Sequence, residues 1–268
     1  MPSATVDGAT LHYEEAGAGA PVVLVHAFPL SSAMWAPQVE ALADRYHLVT
    51  PDVRGFGASP PFGDRHEATM ERLAADVVGL LDHLELDRVV LAGLSMGGYI
   101  SLAVLRHHPD RVRAVVLADT RAAADTDEVR HRRSAQQVQV AEEGAGAIAD
   151  AMVEGLLGAT TRADGSTLVA QVRDQVAAAS SAGVIGALEA MKARPDATGE
   201  LGAVGVPALV VVGEEDTLAP PEVAEALAAG LPRARLVRVA GAGHLANLEQ
   251  PDAFNAALAD FLVDLDRP

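Results

Sequence analysis

The stretch Val89-Val-Leu-Ala-Gly-Leu-Ser-Met-Gly-Gly98 places a serine between two glycines, directly after an apolar run. Residues 93–97 match the pattern G-x-S-x-G, in which a strand turns sharply into a helix and exposes the serine hydroxyl. The helical pattern Met96–His107 follows at once, as this arrangement requires. A glycine-rich turn with an incidental serine is the simpler explanation, but the flanking strand and helix favour Ser95 as a nucleophile.

Short apolar runs alternate with helical patterns along most of the chain. The runs that predict strands are Leu11–Glu14, Val22–His26, His47–Pro51, Val89–Ala92, Val115–Ala118, Ala208–Val212 and Leu236–Val239. The helical patterns between or after them are Met34–Ala43, Met70–Leu84, Met96–His107, Glu222–Ala229 and Phe254–Leu262. Continuous apolar strands that alternate with helices predict an α/β fold with a mostly parallel sheet flanked by helices.

The alternation is interrupted by a segment without a convincing strand. Four helices are predicted there, at Asp127–Glu142, Gly146–Leu157, Ser166–Ser180 and Val184–Arg194. The segment could be extra helical packing on one flank or a lid inserted between two strands. The lid is favoured because the strand pattern resumes sharply after Val206-Pro207. We therefore predict a core formed by residues 1–121 and 200–268, with residues 122–199 as a helical cap.

Composition limits the classes of partner and compartment. The 268 residues carry a formal net charge of −17, which argues against nucleic acid and anionic membranes as partners but says little about the substrate. No cysteine is present, so disulfides, thiolate metal sites and cysteine nucleophiles are excluded. The N-terminal residues lack the features of a secretory signal, and no apolar run approaches the roughly 18 residues of a membrane span. We expect a cytoplasmic monomer or small homo-oligomer.

A serine hydroxyl needs a base, and the base needs an acid to orient it. His244 lies in a glycine-rich loop after the last predicted strand, on the sheet edge where Ser95 is expected. Asp216 follows the strand Ala208–Val212, and we favour it as the acid. Asp119, which follows the strand Val115–Ala118, is the main alternative.

An oxyanion hole needs two backbone donors near the serine. The amide of Met96 is one candidate, because it begins a helix directly after Ser95. The amide of Phe28 is the other, in the loop after the strand Val22–His26, although an ordinary connecting loop is the alternative. The substrate-binding candidates are apolar neighbours of these loops, for which core packing is an equal alternative: Met34, Trp35 and Leu94.

These motifs together resemble the α/β-hydrolase-fold serine hydrolases. The resemblance is carried in family order by His-x-Phe-Pro at residues 26–29, Asp52-Val-Arg-Gly-Phe-Gly-Ala-Ser59, the G-x-S-x-G turn and Gly-His-Leu-Ala-Asn-Leu-Glu-Gln-Pro at residues 243–251. Within the family the chain is most similar to esterases, 3-oxoadipate enol-lactonases and cofactor-free haloperoxidases. The resemblance implies an eight-stranded, mostly parallel sheet, a helical cap after the sixth strand and the triad Ser95, Asp216 and His244.

One position departs from the family pattern. The usual His-Gly pair is His26-Ala27 here, so the oxyanion loop is expected to differ slightly in position. Pro29, beside Phe28, resembles the haloperoxidase and perhydrolase members and implies a peracid-forming side activity.

The predicted activity is hydrolysis of carboxylic esters of small to medium acyl chain through an acyl-enzyme on Ser95. A lactonase acting on an enol-lactone or an acyl-homoserine lactone is the alternative, and a lid arginine pointing at Ser95 would favour it. A ligand receptor with little turnover is a third hypothesis. No cofactor and no metal site are predicted, because the corresponding sequence motifs are absent.

Overall fold

A single eight-stranded sheet runs through the part of the chain described by the computed structural model, residues 2–165 and 167–267. The strands are β1 (Ser3–Val6), β2 (Ala9–Ala16), β3 (Ala20–Val25), β4 (Tyr46–Pro51), β5 (Val89–Leu94), β6 (Val112–Ala118), β7 (Ala208–Gly213) and β8 (Ala234–Val239). Their order across the sheet is β1-β2-β4-β3-β5-β6-β7-β8. β2 pairs antiparallel with β1 and β4, and the other neighbours are parallel.

This sheet confirms the predicted α/β class and the eight strands that the resemblance implies. All seven predicted strands are present with slightly different ends. The strand β1 was not predicted, because its four residues alternate between exposed and buried and form no continuous apolar run. It lies at the edge of the sheet, where one face of a strand can remain in water.

Helices cover both faces of the central strands, which is why β5 and β7 are buried along their whole length. The helices are α1 (Ala36–Leu42), α2 (Met70–His83), α3 (Met96–His107), α4 (Asp127–Glu143), α5 (Ala149–Leu156), α6 (Ala159–Ala163), α7 (Thr167–Ala178), α8 (Ser181–Ala193), α9 (Pro221–Gly230), α10 (Ala246–Glu249) and α11 (Pro251–Asp266). Short 3-10 helices occur at Ser32–Trp35, Arg65–Glu67, Pro109–Arg111, Ala145–Ile148 and Thr198–Ala203. No helix in the described part of the chain combines the length and the apolar character needed to cross a membrane.

The helices α4 to α8 lie in the segment between β6 and β7. Within this segment α4 packs on α8, and α5 packs on α7. The helix predicted at Ser166–Ser180 corresponds to α7, which begins at Thr167, and Ser166 itself lies outside the described residues. The short helix α6 was not predicted. The division into a core and a cap at residues 122–199 remains a prediction.

The parallel strands β3, β5, β6, β7 and β8 place their carboxyl ends at one edge of the sheet. The loops that follow these strands carry Phe28, Ser95, Asp119, Asp216 and His244. Residues that are far apart in the sequence therefore meet at one edge, which is where ligands bind in open α/β sheets.

Candidate active site

Ser95 occupies the sharp turn between β5 and α3. Its φ of +53° and ψ of −110° lie outside the regions that a residue with a Cβ ordinarily adopts. The turn is held by the Ser95 amide, which donates to the carbonyl of Ala118 at 2.9 Å. Strain of this kind persists where the surrounding structure imposes it, and it is concentrated at functional sites.

The two glycines around Ser95 are required by close backbone contacts. A Cβ on Gly93 would lie 2.2 Å from the carbonyl oxygen of Gly97. A Cβ on Gly97 would lie 2.1 Å from the carbonyl oxygen of Val25 in β3. Both distances are far below van der Waals contact, so no larger residue fits without moving the strand or the helix. The spacing of the G-x-S-x-G motif thus follows from the packing of β5, α3 and β3.

The structure brings Ser95, His244 and Asp216 into one hydrogen-bonded chain. His244 Nε2 lies 2.7 Å from Ser95 Oγ, and His244 Nδ1 lies 2.7 Å from Asp216 Oδ2. Asp216 and His244 are buried, whereas Ser95 is partly exposed. Because an ionised carboxylate can only accept, Nδ1 carries the proton and Nε2 is free to accept from the serine hydroxyl. The chain can therefore move a proton away from Ser95.

Asp216 is held in its ionised form by its surroundings. Its Oδ1 accepts from the amides of Leu218 at 2.8 Å and Ala219 at 2.9 Å. Burial raises the pKa of Asp216, but the charge of His244 and the hydrogen bonds from His244, Ala219 and Leu218 outweigh it and lower that pKa below its usual value. An ionised Asp216 fixes the orientation of the imidazole.

Asp119, the alternative acid, lies at the end of β6 and contacts different groups. Its Oδ1 accepts from the amide of Gly213 at 2.9 Å, and its Oδ2 has no partner among the described residues. Burial and the nearby charge of Asp216 raise the pKa of Asp119 well above its usual value. Of the two candidate acids, it is therefore Asp216 that contacts His244.

The two predicted oxyanion donors belong to residues close to Ser95 in the fold, since Met96 follows it in the chain and Phe28 lines the same cavity. Met96 is the first residue of α3, so its amide has no acceptor in a preceding helical turn. Phe28 lines the cavity beside Ser95, and its amide has no acceptor among the described residues. Its ring packs edge-on against Phe56 with centroids 6.0 Å apart. Both amides are thus free to bind an oxygen atom near the serine.

A cavity of about 260 Å³ opens beside Ser95 and His244. Its wall combines sheet-edge residues with residues of the predicted cap, and it consists of Phe28, Ser95, Tyr99, Arg121, Asp125, Val129, Arg132, Arg133, Gln136, Ala151, Met152, Gly155, Leu156, Met191, Leu218 and His244. Three of its polar residues, Arg132, Arg133 and Gln136, belong to α4. The cavity is the natural place for a small ligand.

The three predicted substrate-binding residues are not in this wall. Met34, Trp35 and Leu94 are at most 1% exposed and lie in the core. The sulfur of Met34 accepts from the amide of Ala27, and the ring of Trp35 packs against Phe254. These side chains support the loops of the site from behind, which corresponds to the core-packing alternative. Proximity to the motifs in sequence does not determine which side of a loop a side chain occupies.

Glu249, five residues after His244, has no role predicted from the sequence. Its Oε1 accepts from the amides of Gly243 at 2.9 Å and Leu245 at 3.2 Å, on either side of His244. Its Oε2 accepts from the amide of Gly158, between α5 and α6, at 2.7 Å. One carboxylate therefore joins the histidine loop to the helical segment between β6 and β7, whose residues line part of the cavity.

His26 is a second residue whose role was missed. It is fully buried, its Nε2 accepts from the amide of Val53 at 2.9 Å, and its Nδ1 lies 2.9 Å from the carbonyl oxygen of Ala27. The ring is therefore neutral and carries its proton on Nδ1. It joins the loop after β3 to the loop after β4, and so positions Phe28.

The burial of His26 predicts a loss of stability at mildly acidic pH. Burial lowers the pKa of His26 despite the opposing effects of the Ala27 carbonyl and Asp52. As the pH falls, the unfolded chain therefore binds a proton on this histidine before the folded chain does. The stability contributed by the neutral His26 is fully present above the unfolded pKa of about 6.5 and is lost as the pH falls below it. We expect the free energy of unfolding to fall by up to about 1.4 kcal/mol per pH unit.

Urea denaturation between about pH 7.5 and pH 5.5 measures this dependence. His26→Gln should flatten it, whereas His107→Gln, at an exposed position of α3, should preserve it. An identical pH dependence in wild type and His26→Gln would show that another group is responsible.

The comparisons with known proteins agree with this architecture. The sequence pattern that defines the alpha/beta hydrolase fold family matches residues 20–251, and the chain belongs to this family. A thermophilic esterase from Thermogutta terrifontis, solved with malate bound, is 38% identical and superposes with a TM-score of 0.95 over 99% of each chain. The enol-lactonase from Burkholderia xenovorans LB400 is 34% identical, with a TM-score of 0.90 over 98% of this chain and 100% of that one.

A sequence relative extends this similarity. The 3-oxoadipate enol-lactonase 2 of Acinetobacter baylyi is 30% identical over 227 residues, which cover 84% of this chain and 82% of the relative. The resemblance to esterases and enol-lactonases is therefore confirmed. In the described part of the chain, no group of three or more histidine, aspartate or glutamate side chains is placed to hold a metal ion.

Proposed function

We propose that the protein is a serine hydrolase that cleaves carboxylic esters of small to medium acyl chain. The observation that carries this proposal is the hydrogen-bonded chain from Asp216 through His244 to Ser95, which ends at the wall of a cavity. A nucleophile, a base and an acid in this order are the parts that acyl transfer requires. Membership of a hydrolase family supports the same reaction class.

In the proposed mechanism, His244 Nε2 accepts the hydroxyl proton of Ser95 as Oγ attacks the ester carbonyl carbon. The resulting imidazolium is stabilised by Asp216, which remains ionised. His244 then donates the proton to the alcohol oxygen as the carbon–oxygen bond breaks and an acyl-enzyme forms. Water attacks the acyl-enzyme with its proton taken by the same nitrogen, and the acid is released as Ser95 is restored.

The amides of Phe28 and Met96 are proposed to bind the oxyanion of both tetrahedral intermediates. A single donor of this kind can contribute about 3 kcal/mol to the transition state. Met96 adds the favourable field of a helix N-terminus, because α3 begins there. His26 positions the Phe28 loop, which carries alanine rather than the usual glycine after the histidine.

The proposed cap, residues 122–199, supplies much of the cavity wall through α4 and α5. A cavity of about 260 Å³ is smaller than the roughly 300–1,000 Å³ of pockets for drug-sized ligands, which favours small substrates.

Two further parts of the proposal do not depend on the cavity. Pro29 beside Phe28 suggests peracid formation as a side activity, and a cytoplasmic location is proposed for the protein.

A lactonase is the second candidate function. Arg132 of α4 lines the cavity together with Ser95, and a cap arginine in this position is the feature expected of a lactonase. The relatives named as enol-lactonases support the same alternative. The same triad opens a lactone, with the alcohol remaining attached to the acyl group after the ring is cleaved.

The experiment that tests the proposal is steady-state hydrolysis of five substrates. These are p-nitrophenyl acetate, butyrate and octanoate, γ-butyrolactone and an acyl-homoserine lactone. We expect kcat/KM to be highest for the two short aryl esters. A tenfold preference for a lactone, about 1.4 kcal/mol in the transition state, would replace the esterase with the lactonase. If none of the five substrates is turned over in a sustained way, the receptor hypothesis is favoured.

A further inference from the structure

The cavity beside Ser95 is rich in arginine, although the protein as a whole is strongly acidic. The formal net charge of the chain is −17, yet Arg121, Arg132 and Arg133 all line this cavity. Asp125 is the one acidic residue among the described residues of the wall. The local excess of positive charge therefore arises from the placement of these side chains and not from the composition of the chain.

Asp125 forms ion pairs with Arg133 of the cavity wall and with Arg194. Its Oδ2 lies 2.6 Å from Arg133 Nε, and its Oδ1 lies 2.6 Å from Arg194 Nη1. Burial raises the pKa of Asp125, but the hydrogen bonds and charges of Arg133 and Arg194 outweigh it and hold that pKa below its usual value. This carboxylate is consequently ionised, and its negative charge is compensated by Arg133 and Arg194. It does not neutralise Arg121 or Arg132, the other two arginines of the wall.

Arg121 and Arg132 are left without an anionic partner. In residues 2–165 and 167–267, no carboxylate lies within ion-pair distance of either guanidinium. The Nε of Arg121 is buried and has no hydrogen-bond partner there either. A buried donor without an acceptor is unfavourable, so an acceptor from outside the chain would complete the site.

The two arginines reach the cavity from different parts of the fold. Arg121 follows β6 and is half-buried, whereas Arg132 belongs to α4 and is exposed. Both share the cavity with Ser95 and His244. Guanidinium groups match the geometry of carboxylates and bind them through paired hydrogen bonds. A small anion bound here would lie in the same cavity as the serine.

We propose that the substrate is a small ester or lactone with a free carboxylate, which Arg121 and Arg132 bind while Ser95 attacks the other carbonyl. This inference rests on the proposed function, because it names the substrate class of the same site. The carboxylate is a binding group that takes no part in bond breaking. Neutral esters of the same length lack the charge-assisted hydrogen bonds and bind less well.

A pair of esters matched in length tests the inference. Monomethyl glutarate carries the carboxylate, and methyl 5-oxohexanoate carries a methyl ketone in its place. We expect kcat/KM of the wild-type protein, measured as methanol release, to be at least about tenfold higher for monomethyl glutarate. Equal values, or a preference for the ketone, would overturn the inference and leave the proposed ester hydrolysis intact.

Substitutions of Arg121 and Arg132 test whether these two side chains cause the preference for monomethyl glutarate over methyl 5-oxohexanoate. Arg121→Gln and Arg132→Gln should each lower the ratio of the two kcat/KM values, and the double variant should bring it close to one. The control is Arg130→Gln, on the exposed surface of α4 and outside the cavity wall, which should keep the wild-type ratio. Because Arg132 is exposed, its variant keeps the test decisive if Arg121→Gln fails to fold. An unchanged ratio in the Arg132 variant would contradict the assignment.

A binding measurement separates this inference from the proposed function. Titration calorimetry of Ser95→Ala with glutarate should detect binding, and adding Arg132→Gln should weaken it about tenfold. No detectable binding of glutarate would overturn the anion site. If Ser95→Ala binds glutarate but the wild type hydrolyses neither monomethyl glutarate nor methyl 5-oxohexanoate, the anion site is supported and the proposed function is contradicted.

Discussion

Replacing Ser95 with alanine is expected to lower kcat for p-nitrophenyl butyrate by about 10,000-fold or more. The substitution removes the oxygen that lies 2.7 Å from His244 Nε2, so no acyl-enzyme can form. Residual hydrolysis would come from the oxyanion donors and from substrate binding. The loss should appear in kcat, because the cavity wall is otherwise unchanged.

The measurement is stopped-flow and steady-state release of p-nitrophenol. A burst in the wild type should disappear in Ser95→Ala, and an organophosphonate that labels the wild type should leave the variant unmodified. The matched control is Ser101→Ala, in the same helix, whose hydroxyl donates only to the carbonyl of Gly97 at 2.8 Å. Ser101→Ala should remain within a few-fold of the wild type. Substantial turnover by a folded Ser95→Ala protein would exclude Ser95 as the nucleophile.

The sheet could be predicted because its strands depend on local sequence. The runs that became β3, β5 and β7 are apolar throughout, and a strand covered on both faces needs this composition. The turn at Ser95 was predictable for the same reason, since its glycines are demanded by contacts among β5, α3 and β3. In contrast, β1 is a short edge strand with one exposed face, and such a strand has no strong sequence pattern.

The cavity wall could not be predicted, because it depends on how the helices after β6 pack over the sheet edge. Arg121 and Arg132 have no sequence feature that separates them from the exposed Arg130. Their position in one cavity with Ser95 follows only from long-range packing. Met34 and Trp35 illustrate the converse, since both are close to the Phe28 loop in sequence but point into the core.

The acid of the proposed triad is another point at which the sequence left two alternatives. Asp119 and Asp216 each follow a parallel strand, so both were expected at the same edge of the sheet. The structure places Asp216 Oδ2 at 2.7 Å from His244 Nδ1 and directs Asp119 Oδ1 to the amide of Gly213. Their surroundings also shift the two pKa values in opposite directions, because the charge and hydrogen bond of His244 lower the pKa of Asp216 whereas burial raises that of Asp119.

Asp216→Asn is therefore expected to lower kcat by about 1,000- to 10,000-fold at neutral pH. Asp216 Oδ1 accepts from the amides of Leu218 and Ala219, and an asparagine would keep its carbonyl oxygen there. Its amide group would then face His244 Nδ1 and donate to it. The histidine would carry its proton on Nε2, toward Ser95, and could no longer act as the base.

Asp119→Asn serves as the matched comparison for Asp216→Asn. The Oδ1 of Asp119 accepts from the amide of Gly213, and the carbonyl oxygen of an asparagine preserves that acceptor. Its kcat should fall less than about tenfold, since no proton of the mechanism passes through this carboxyl. Circular dichroism and thermal unfolding of both variants exclude misfolding as the cause. If kcat falls more in Asp119→Asn than in Asp216→Asn, then Asp119 and not Asp216 is the acid that acts with His244.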